Sequence, residues 1–465
     1  MNRLPLSLIA HLAGGELHGE DTTVDAVSND TRALRAGSLY VALRGERFDG
    51  HDFVADAARR GATALLVERA VDSDLPQILV SDPQLALARL AAGLQRDRAG
   101  KVVAITGSNG KTSVKSLVLS ILQRAGETYC TPGNRNNEIG LPLAVIEAPD
   151  TTEYAVYEMG AGKPGDIAYL TDVARPDVAL VNNIAAAHLE RMGSLLGVAR
   201  TKGAIYSALP ADGVAVINAD DAFVEVFAGL VPGRRVLRFG LECSADIRAR
   251  NIVTGAEGSR FVLVTPEGEA EVTLALPGRH NVRNALAATG LALGCGVALD
   301  TIVEGLAAAR PVAGRQVAQT LPSGAVLVDD SYNANPGSLA AAIDTLAAIT
   351  RQGWLVLGDM RELGPEGPAL HVAAGLRARQ AGIARLYALG ELSAHAAQAY
   401  GEGARTFDTH AALAQALARD LASIDPAAQV RVLVKGSRGS AMDRIVTALL
   451  PAAPAQSTGG TAHAA

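Results

Sequence analysis

Thr106-Gly107-Ser108-Asn109-Gly110-Lys111-Thr112-Ser113 joins an apolar run, Lys101–Thr106, to a helical pattern over Thr112–Ala125 with Leu117, Ile121 and Leu122 on one face. Glycines in such a turn let backbone N–H groups close around phosphate oxygens, and a helix start adds partial positive charge. Lys111 has the reach for β- and γ-phosphates, and the Thr112 hydroxyl is a ligand type for Mg²⁺. The usual spacing of a phosphate loop puts glycine at position 105, where this chain has Ile105, so the loop is the shorter GxxGKT form. The bland alternative is a Gly-rich turn with a surface lysine.

A phosphate loop needs a carboxylate for its magnesium. Glu158 ends the strand pattern Tyr154–Glu158, before Met159-Gly160-Ala161-Gly162. Strand C-termini of a parallel sheet share one crevice, which places Glu158 near Thr112; an ordinary strand-end acid is the alternative. The next strand, Val178–Asn182, leads through Asn183-Ile184 to His188-Leu189-Glu190. A lone His is more often structural, but this one belongs to the same sheet edge, which favours a metal or phosphate role. Lys202 lies on the helix Leu195–Leu209, and spacing alone gives it no task.

Three later clusters are polar. Gly278-Arg279-His280-Asn281-Val282-Arg283-Asn284 opens a helix, with Asn281 and Asn284 one turn apart; they cap the helix or read a purine edge, and the residues leave both open. Asp329-Asp330-Ser331-Tyr332-Asn333-Ala334-Asn335-Pro336 ends another strand with more polar groups than a turn requires. Lys435-Gly436-Ser437-Arg438-Gly439 follows the strand Val430–Val434, and is an anion site or a basic turn.

The elements that must position these groups alternate strand and helix. Before residue 98, Ser38–Leu43 and Ala64–Val67 read as strands, with helices over Phe53–Arg60 and Gln84–Gln95. Arg96–Gly100 is a hinge candidate. The central series adds the strand Val214–Asn218, a stretch of period two between Ala245 and Leu276, and helices Asn281–Leu293 and Leu299–Ala309. From Gly314, strands Ala325–Asp329, Trp354–Leu357, Arg385–Leu389 and Val430–Val434 alternate with helices Leu339–Ile349, Ala369–Ala381, Ala411–Leu421 and Ala441–Leu450. This order predicts an α/β chain of three domains: a small α/β N-terminal domain (1–98), a central parallel-sheet phosphate-loop domain with a small β subdomain (99–312), and a C-terminal Rossmann-like doubly wound domain (313–452). Residues 453–465 read as a disordered tail.

The 465 residues, 49% hydrophobic and 19% charged, suffice for several cores and exclude a disordered or collagen-like chain. A net charge of −6 without a long Lys/Arg run argues against a general nucleic-acid binder. No stretch approaches the ~20 apolar residues of a membrane span. Arg3 followed by Leu4–Ala13 faintly resembles a signal peptide, but the run is short, is broken by His11 and lacks an Ala-x-Ala site, so an amphipathic first helix is expected. Cys130, Cys243 and Cys295, odd in number and far apart, suit a reducing cytoplasm.

Taken in order, TGSNGKTS, YEMGA, NNI…AHLE, GRHNVRNALAA, DDSYNANP and VKGSR resemble the Mur ligase family, the ATP-dependent ligases that extend the peptide of the bacterial cell-wall precursor. Ser28–Arg32 (SNDTR) with Gly45–His51 (GERFDGH), Thr131–Leu141 (TPGNRNNEIGL), DDSYNANP and Gly358–Gly364 (GDMRELG) narrow the likeness to the branch that joins D-alanyl-D-alanine to UDP-N-acetylmuramoyl-tripeptide. No DNPR-type motif of the diaminopimelate- or lysine-adding branch is present, and folylpolyglutamate synthetases are not expected to carry SNDTR.

The resemblance implies that the N-terminal domain holds the UDP-muramoyl substrate, the middle domain binds ATP, and the C-terminal domain closes over both. Gly107, Ser108, Asn109, Gly110, Lys111, Thr112 and Ser113 would cradle ATP, with Asn281 at the adenine, Asp330 at the ribose and Arg315 at the γ-phosphate, and Asn284 and Asn333 would also bind the nucleotide. Thr112 and Glu158 would hold a first Mg²⁺ and His188 a second. Lys202 corresponds to a lysine that is commonly carbamylated, and so becomes a ligand of the second ion. Ser28, Asp30, Thr31, Arg32, Gly45, Asp49, His51, Asn134, Asn137, Lys435, Ser437 and Arg438 would contact the substrates. An acyl phosphate formed on the tripeptide carboxylate would then be attacked by the dipeptide amine, with His188 one candidate for the general base. A monomer is the default expectation. A nucleotide-driven switch, an amide ligase of the same fold with another acceptor, and a non-catalytic scaffold are the competing readings.

Overall fold

The computed structural model describes residues 3–45, 47–186 and 189–450. The expected tail at 453–465 and His188 lie outside the described residues. The chain divides into two compact units, Met1–Val312 and Ala313–Ala465.

In the first unit, Glu16–His18, Gln77–Leu79, Ala62–Val67, Ser38–Val41 and Ala26–Ser28 form a five-stranded sheet in that order. It is parallel except where Glu16–His18 runs against Gln77–Leu79. The expected first helix is present as Leu6–Ala13. Helix Pro83–Arg96 starts sharply: the Asp82 carboxylate accepts from the Gln84 and Leu85 amides and proline occupies its first turn. Its apolar face packs on helices Gly140–Glu147 and Asp166–Ala174 of the central region. One apolar cluster therefore runs from Leu6 and Leu87 to Tyr157 and Ile167.

The central sheet has six strands, all parallel: Arg235–Phe239, Val214–Asn218, Val178–Val181, Lys101–Thr106, Tyr154–Glu158 and Thr128–Cys130. Along Lys101–Thr106, Val103 and Ile105 pack toward the helices Lys111–Ala125 and Arg279–Gly294. Val102 and Ala104 pack toward the opposite layer, which includes Leu195–Ser207. Burial on both faces explains why these strands are unbroken apolar runs. The period-two stretch is a separate antiparallel sheet of Arg248–Gly255, Gly258–Thr265 and Gly268–Leu274.

The second unit holds six strands in the order Val317–Thr320, Val326–Asp330, Arg431–Lys435, Gly353–Gly358, Arg385–Leu389 and Ala404–Phe407. Apolar clusters cover both faces, as a doubly wound sheet requires. The sheet is parallel except at one edge, where a strand that the sequence did not mark, Val317–Thr320, is antiparallel to Val326–Asp330. That strand is largely exposed and carries no apolar run that marks it in the sequence. Helix Gly140–Glu147 was also hidden: seven of its eight residues are buried, so it has no polar face to set a period.

Candidate active site

The phosphate-loop strand lies between Val178–Val181 and Tyr154–Glu158, with Glu158 beside Ile105 and Val181 beside Thr106. Three strand ends therefore open on one edge. Gly107 (φ 149°) and Gly110 (φ 79°) reverse the chain into the helix, and Lys111 Nζ donates to the Gly107 carbonyl at 2.8 Å across the loop.

Neutral amides brace this loop. Asn183 Oδ1 accepts from the Asn109 amide at 2.9 Å, and the side-chain amides of Asn182 and Asn183 donate to the Asn109 carbonyl at 2.9 and 3.1 Å. Asn182 also donates to Asn284 Oδ1 at 3.0 Å, and Asn284 to Asn281 Oδ1 at 3.2 Å. Asn281 closes the chain by donating to the Pro277 carbonyl at 2.8 Å. The two buried asparagines of the GRHNVRN cluster thus tie their helix start to the loop. Ser108 exchanges hydrogen bonds with Ala185 across the same edge.

Opposite the loop, Glu158 is 2% exposed and accepts from Thr112 Oγ1 at 3.0 Å and from Asn136 Nδ2 at 3.0 Å. Lys115 Nζ lies 3.4 Å from its Oε2. Burial pushes the Glu158 carboxyl up, but Lys111, Lys115 and the two hydrogen bonds outweigh it and hold the group below its ordinary value. An ionised carboxylate oxygen next to a threonine hydroxyl at the foot of a phosphate loop is the hard-oxygen donor set that Mg²⁺ takes. Ser113 occupies the next position on the helix start.

Lys202 is 1% exposed, and burial together with the Lys111 charge drives its pKa well below the usual lysine value. Sequence spacing gave this residue no role; its burial is what distinguishes it. Lys115 and Asn136 were also missed, although a lysine four residues after Lys111 shares its helix face.

In the second unit, Asp330 and Lys435 end adjacent parallel strands and pair at 2.7 Å. Burial raises the Asp330 carboxyl above its ordinary value against the pull of Lys435. Lys435 also donates to the Asn333 carbonyl, and Asn333 Oδ1 accepts from the Arg438 amide at 3.3 Å. Arg315 stacks on the Tyr332 ring at 4.3 Å, with Arg438 also over that ring at 5.7 Å. Ser437 ties this edge to the GDMRELG loop, its hydroxyl accepting from the Arg361 amide at 2.9 Å and donating to the Ala334 carbonyl. Buried His371, absent from the sequence reading, fixes the same loop. Its Nε2 accepts from the Met360 amide at 3.0 Å, so the proton sits on Nδ1, which donates to the Gly367 carbonyl.

The two N-terminal motifs follow adjacent parallel strands, Ala26–Ser28 and Ser38–Val41. Their polar groups are bonded mainly within the motifs and to nearby backbone. Arg32 grips Asp30 through Nε and Nη2 and holds it at about 2. Ser28 Oγ bonds to the Asp30 backbone, and Thr31 opens the short helix Thr31–Ala33. Asp49 bridges His51 and Arg69, while His51 Nε2 accepts from the Glu68 amide and the Gly45 amide bonds to the Phe48 carbonyl. Asn134 accepts from Asn136, and Asn137 Oδ1 accepts from the Gly140 amide at 2.8 Å.

Two outcomes follow. A Cβ at Gly110 would stand 2.5 Å from Asn182 Nδ2 and 2.6 Å from Asn284 Oδ1, at a φ of 79°. Gly110→Ala is expected to weaken ATP binding about tenfold or more, since left-handed backbone alone costs about 1–2 kcal/mol; unchanged affinity by calorimetry contradicts the loop assignment. Burial lowers the His371 pKa below 6.5. The unfolded chain therefore takes up this proton first, and the stability that His371 contributes is full above ~6.5 and lost as pH falls, at up to about 1.4 kcal/mol per pH unit. Denaturant unfolding between pH 5 and 7 should show that slope, and His371→Gln should flatten it.

Residues 23–94 match the Mur ligase family, catalytic domain; residues 105–292 the Mur ligase middle domain; and residues 315–438 the Mur ligase, glutamate ligase domain. The chain is 46% identical over 451 residues, 97% of its length and 99% of the relative's, to UDP-N-acetylmuramoyl-tripeptide–D-alanyl-D-alanine ligase of Escherichia coli (strain K12). It is 32% identical to the Bacillus subtilis (strain 168) ligase of the same name, over 95% of this chain and 97% of that one. A crystal structure of MurF from Acinetobacter baumannii superposes with a TM-score of 0.92 at 33% identity, over 97% of this chain and 99% of that one. MurF ligase from Thermotoga maritima in complex with ADP does so at 0.81 and 30% identity, over 92% and 97%. With all three domains matched in order and full-length relatives at this identity, the chain belongs to the Mur ligase family, on the branch of the UDP-N-acetylmuramoyl-tripeptide–D-alanyl-D-alanine ligases.

Proposed function

We propose that this protein is the ATP-dependent ligase that joins D-alanyl-D-alanine to UDP-N-acetylmuramoyl-tripeptide, giving the pentapeptide precursor of peptidoglycan with release of ADP and phosphate. The observation that carries the reading is the meeting of Thr112 and Glu158, 3.0 Å apart beside the phosphate loop, in a chain 46% identical to a ligase of that name.

The chemistry sets the demands. A carboxylate resists an amine because its charge repels the nucleophile and oxide is a poor leaving group. Transfer of the ATP γ-phosphoryl to the terminal carboxylate of the tripeptide makes an acyl phosphate and ADP. The dipeptide amine, as the free base, then adds to the acyl carbon; the tetrahedral adduct loses a proton from nitrogen and expels phosphate, leaving the amide. Phosphoryl transfer asks the protein for position and neutralising charge more than covalent help. The loop amides and Lys111 supply both to the phosphates, and the asparagine chain fixes the loop before ATP arrives. Arg315, held on the Tyr332 ring, and Asp330 are the second unit's candidates for the γ-phosphate and ribose.

Thr112 and Glu158 would hold one Mg²⁺, and His188 with Lys202 a second; bound there, the ions screen phosphate charge and orient phosphate oxygens. Lys202 suits carbamylation, because the neutral amine that its burial favours is the form that adds CO₂, releasing a proton and leaving an anion. We place the reaction in the cytoplasm, where ATP is available; all three cysteines are free, as a reducing compartment allows.

Phosphate release from ATP, measured with the UDP-tripeptide and a panel of amines, should require both the tripeptide and D-alanyl-D-alanine. Release with free amino acids but not with the dipeptide would assign another acceptor, and release indifferent to either substrate would favour a nucleotide switch. Lys202→Ala should be inactive and partly rescued by formate or acetate. Full activity without rescue removes the carbamate.

A further inference from the structure

Lys115 sits on the helix Lys111–Ala125, one turn beyond Lys111, where neither helix stability nor solvation explains it. A cation in the first two turns opposes the helix dipole, and this side chain is only 9% exposed. Its ammonium meets three groups from two other elements. It donates to the carbonyls of Thr131 at 3.1 Å and Gly133 at 3.0 Å, and lies 3.4 Å from Glu158 Oε2.

Those carbonyls belong to the turn after strand Thr128–Cys130, which continues into Asn134, Asn136 and Asn137. Asn136 pins the turn a second time: its side-chain amide donates to Glu158 Oε1 at 3.0 Å and to Asn134 Oδ1 at 2.9 Å, and its carbonyl accepts from the Gly160 amide. Asn137 Oδ1 then accepts from the amide of Gly140, where the next helix begins. The carboxylate at the phosphate loop and the segment carrying Asn134 and Asn137 are thus held together by one buried cation and one amide.

We infer that Lys115 is a positioning residue that couples the nucleotide end of the site to the substrate-binding segment Thr131–Asn137. The inference rests on the functional reading above. It makes Lys115 distinct from Lys111: Lys111 serves the phosphates, whereas Lys115 sets where the substrate-binding segment stands relative to Glu158. A buried pair of this kind is weak evidence for stability, and departures from local preference of this sort concentrate at functional sites.

The test compares full-length wild type with Lys115→Met, which keeps the bulk without charge, and Lys115→Gln, which keeps a shorter donor. Expected in Lys115→Met are a KM for UDP-N-acetylmuramoyl-tripeptide raised tenfold or more, ADP affinity without Mg²⁺ within threefold of wild type, and amide hydrogen exchange across residues 131–137 accelerated at least tenfold. Lys115→Gln should lie between. An unchanged tripeptide KM with unchanged exchange overturns the inference. So does an equal rise in the ATP and tripeptide KM values, and so does failure of both variants to fold, which would make Lys115 a scaffold cation. The exchange measurement needs no substrate. It therefore still decides the coupling if wild type itself fails to turn over the tripeptide with the dipeptide, an outcome that would count against the functional reading instead.

Discussion

A carboxylate taken out of water costs several kcal/mol unless cations and donors answer it, and Glu158 at 2% exposure poses that problem at the centre of the first unit. The answer comes from two separate segments. Thr112 and Lys115 arrive on the phosphate-loop helix, and Asn136 on the turn after Thr128–Cys130. Glu158's own backbone amide is held by Thr131 Oγ1 on that same turn. Only a parallel sheet whose strand ends share an edge brings these together, so the charge balance at Glu158 and the topology depend on each other. With Lys111 also acting on the carboxylate, Glu158 faces two lysine ammoniums, which leaves positive charge beside the loop for a polyphosphate.

Apart from the Lys111 bond to the Gly107 carbonyl, the loop is fixed without charge. Asn109, Asn182, Asn183, Asn284 and Asn281 form a run of amide contacts that reaches the helix Arg279–Gly294. Amides hold the loop in shape without cancelling its cationic character, so the shape is ready before phosphate arrives. The second unit uses the same logic with different groups: Tyr332 orients Arg315, the Lys435–Asp330 pair fixes two strand ends, and neutral His371 holds the GDMRELG turn.

Much of this was legible in the residues. Lys101–Thr106, Tyr154–Glu158, Val214–Asn218 and Arg385–Leu389 have the bounds that their apolar runs predicted, because strands buried on both faces end where polar chemistry begins. Glu158 was placed beside Thr112 by the strand-end argument alone, across 46 residues of sequence. What stayed hidden depends on partners that sequence does not pair. The burial of Lys202, the reach of Lys115 to Thr131 and the neutral state of His371 are properties of packing. The same holds for Asp30, Asp49 and His51, whose motif pointed to substrate but whose side chains also build their own loops. Helix Gly140–Glu147 and edge strand Val317–Thr320 escaped because one lacks a polar face and the other an apolar one.

The claim that the site activates a carboxylate by phosphoryl transfer is tested most directly by isotope. UDP-N-acetylmuramoyl-tripeptide labelled with ¹⁸O in both oxygens of its terminal carboxylate would be turned over with ATP and D-alanyl-D-alanine. An acyl phosphate sends one labelled oxygen into the released phosphate and keeps the other in the new amide. One ¹⁸O per phosphate released is the result this account predicts. Unlabelled phosphate, with both ¹⁸O atoms absent from it while the pentapeptide still forms, would contradict it.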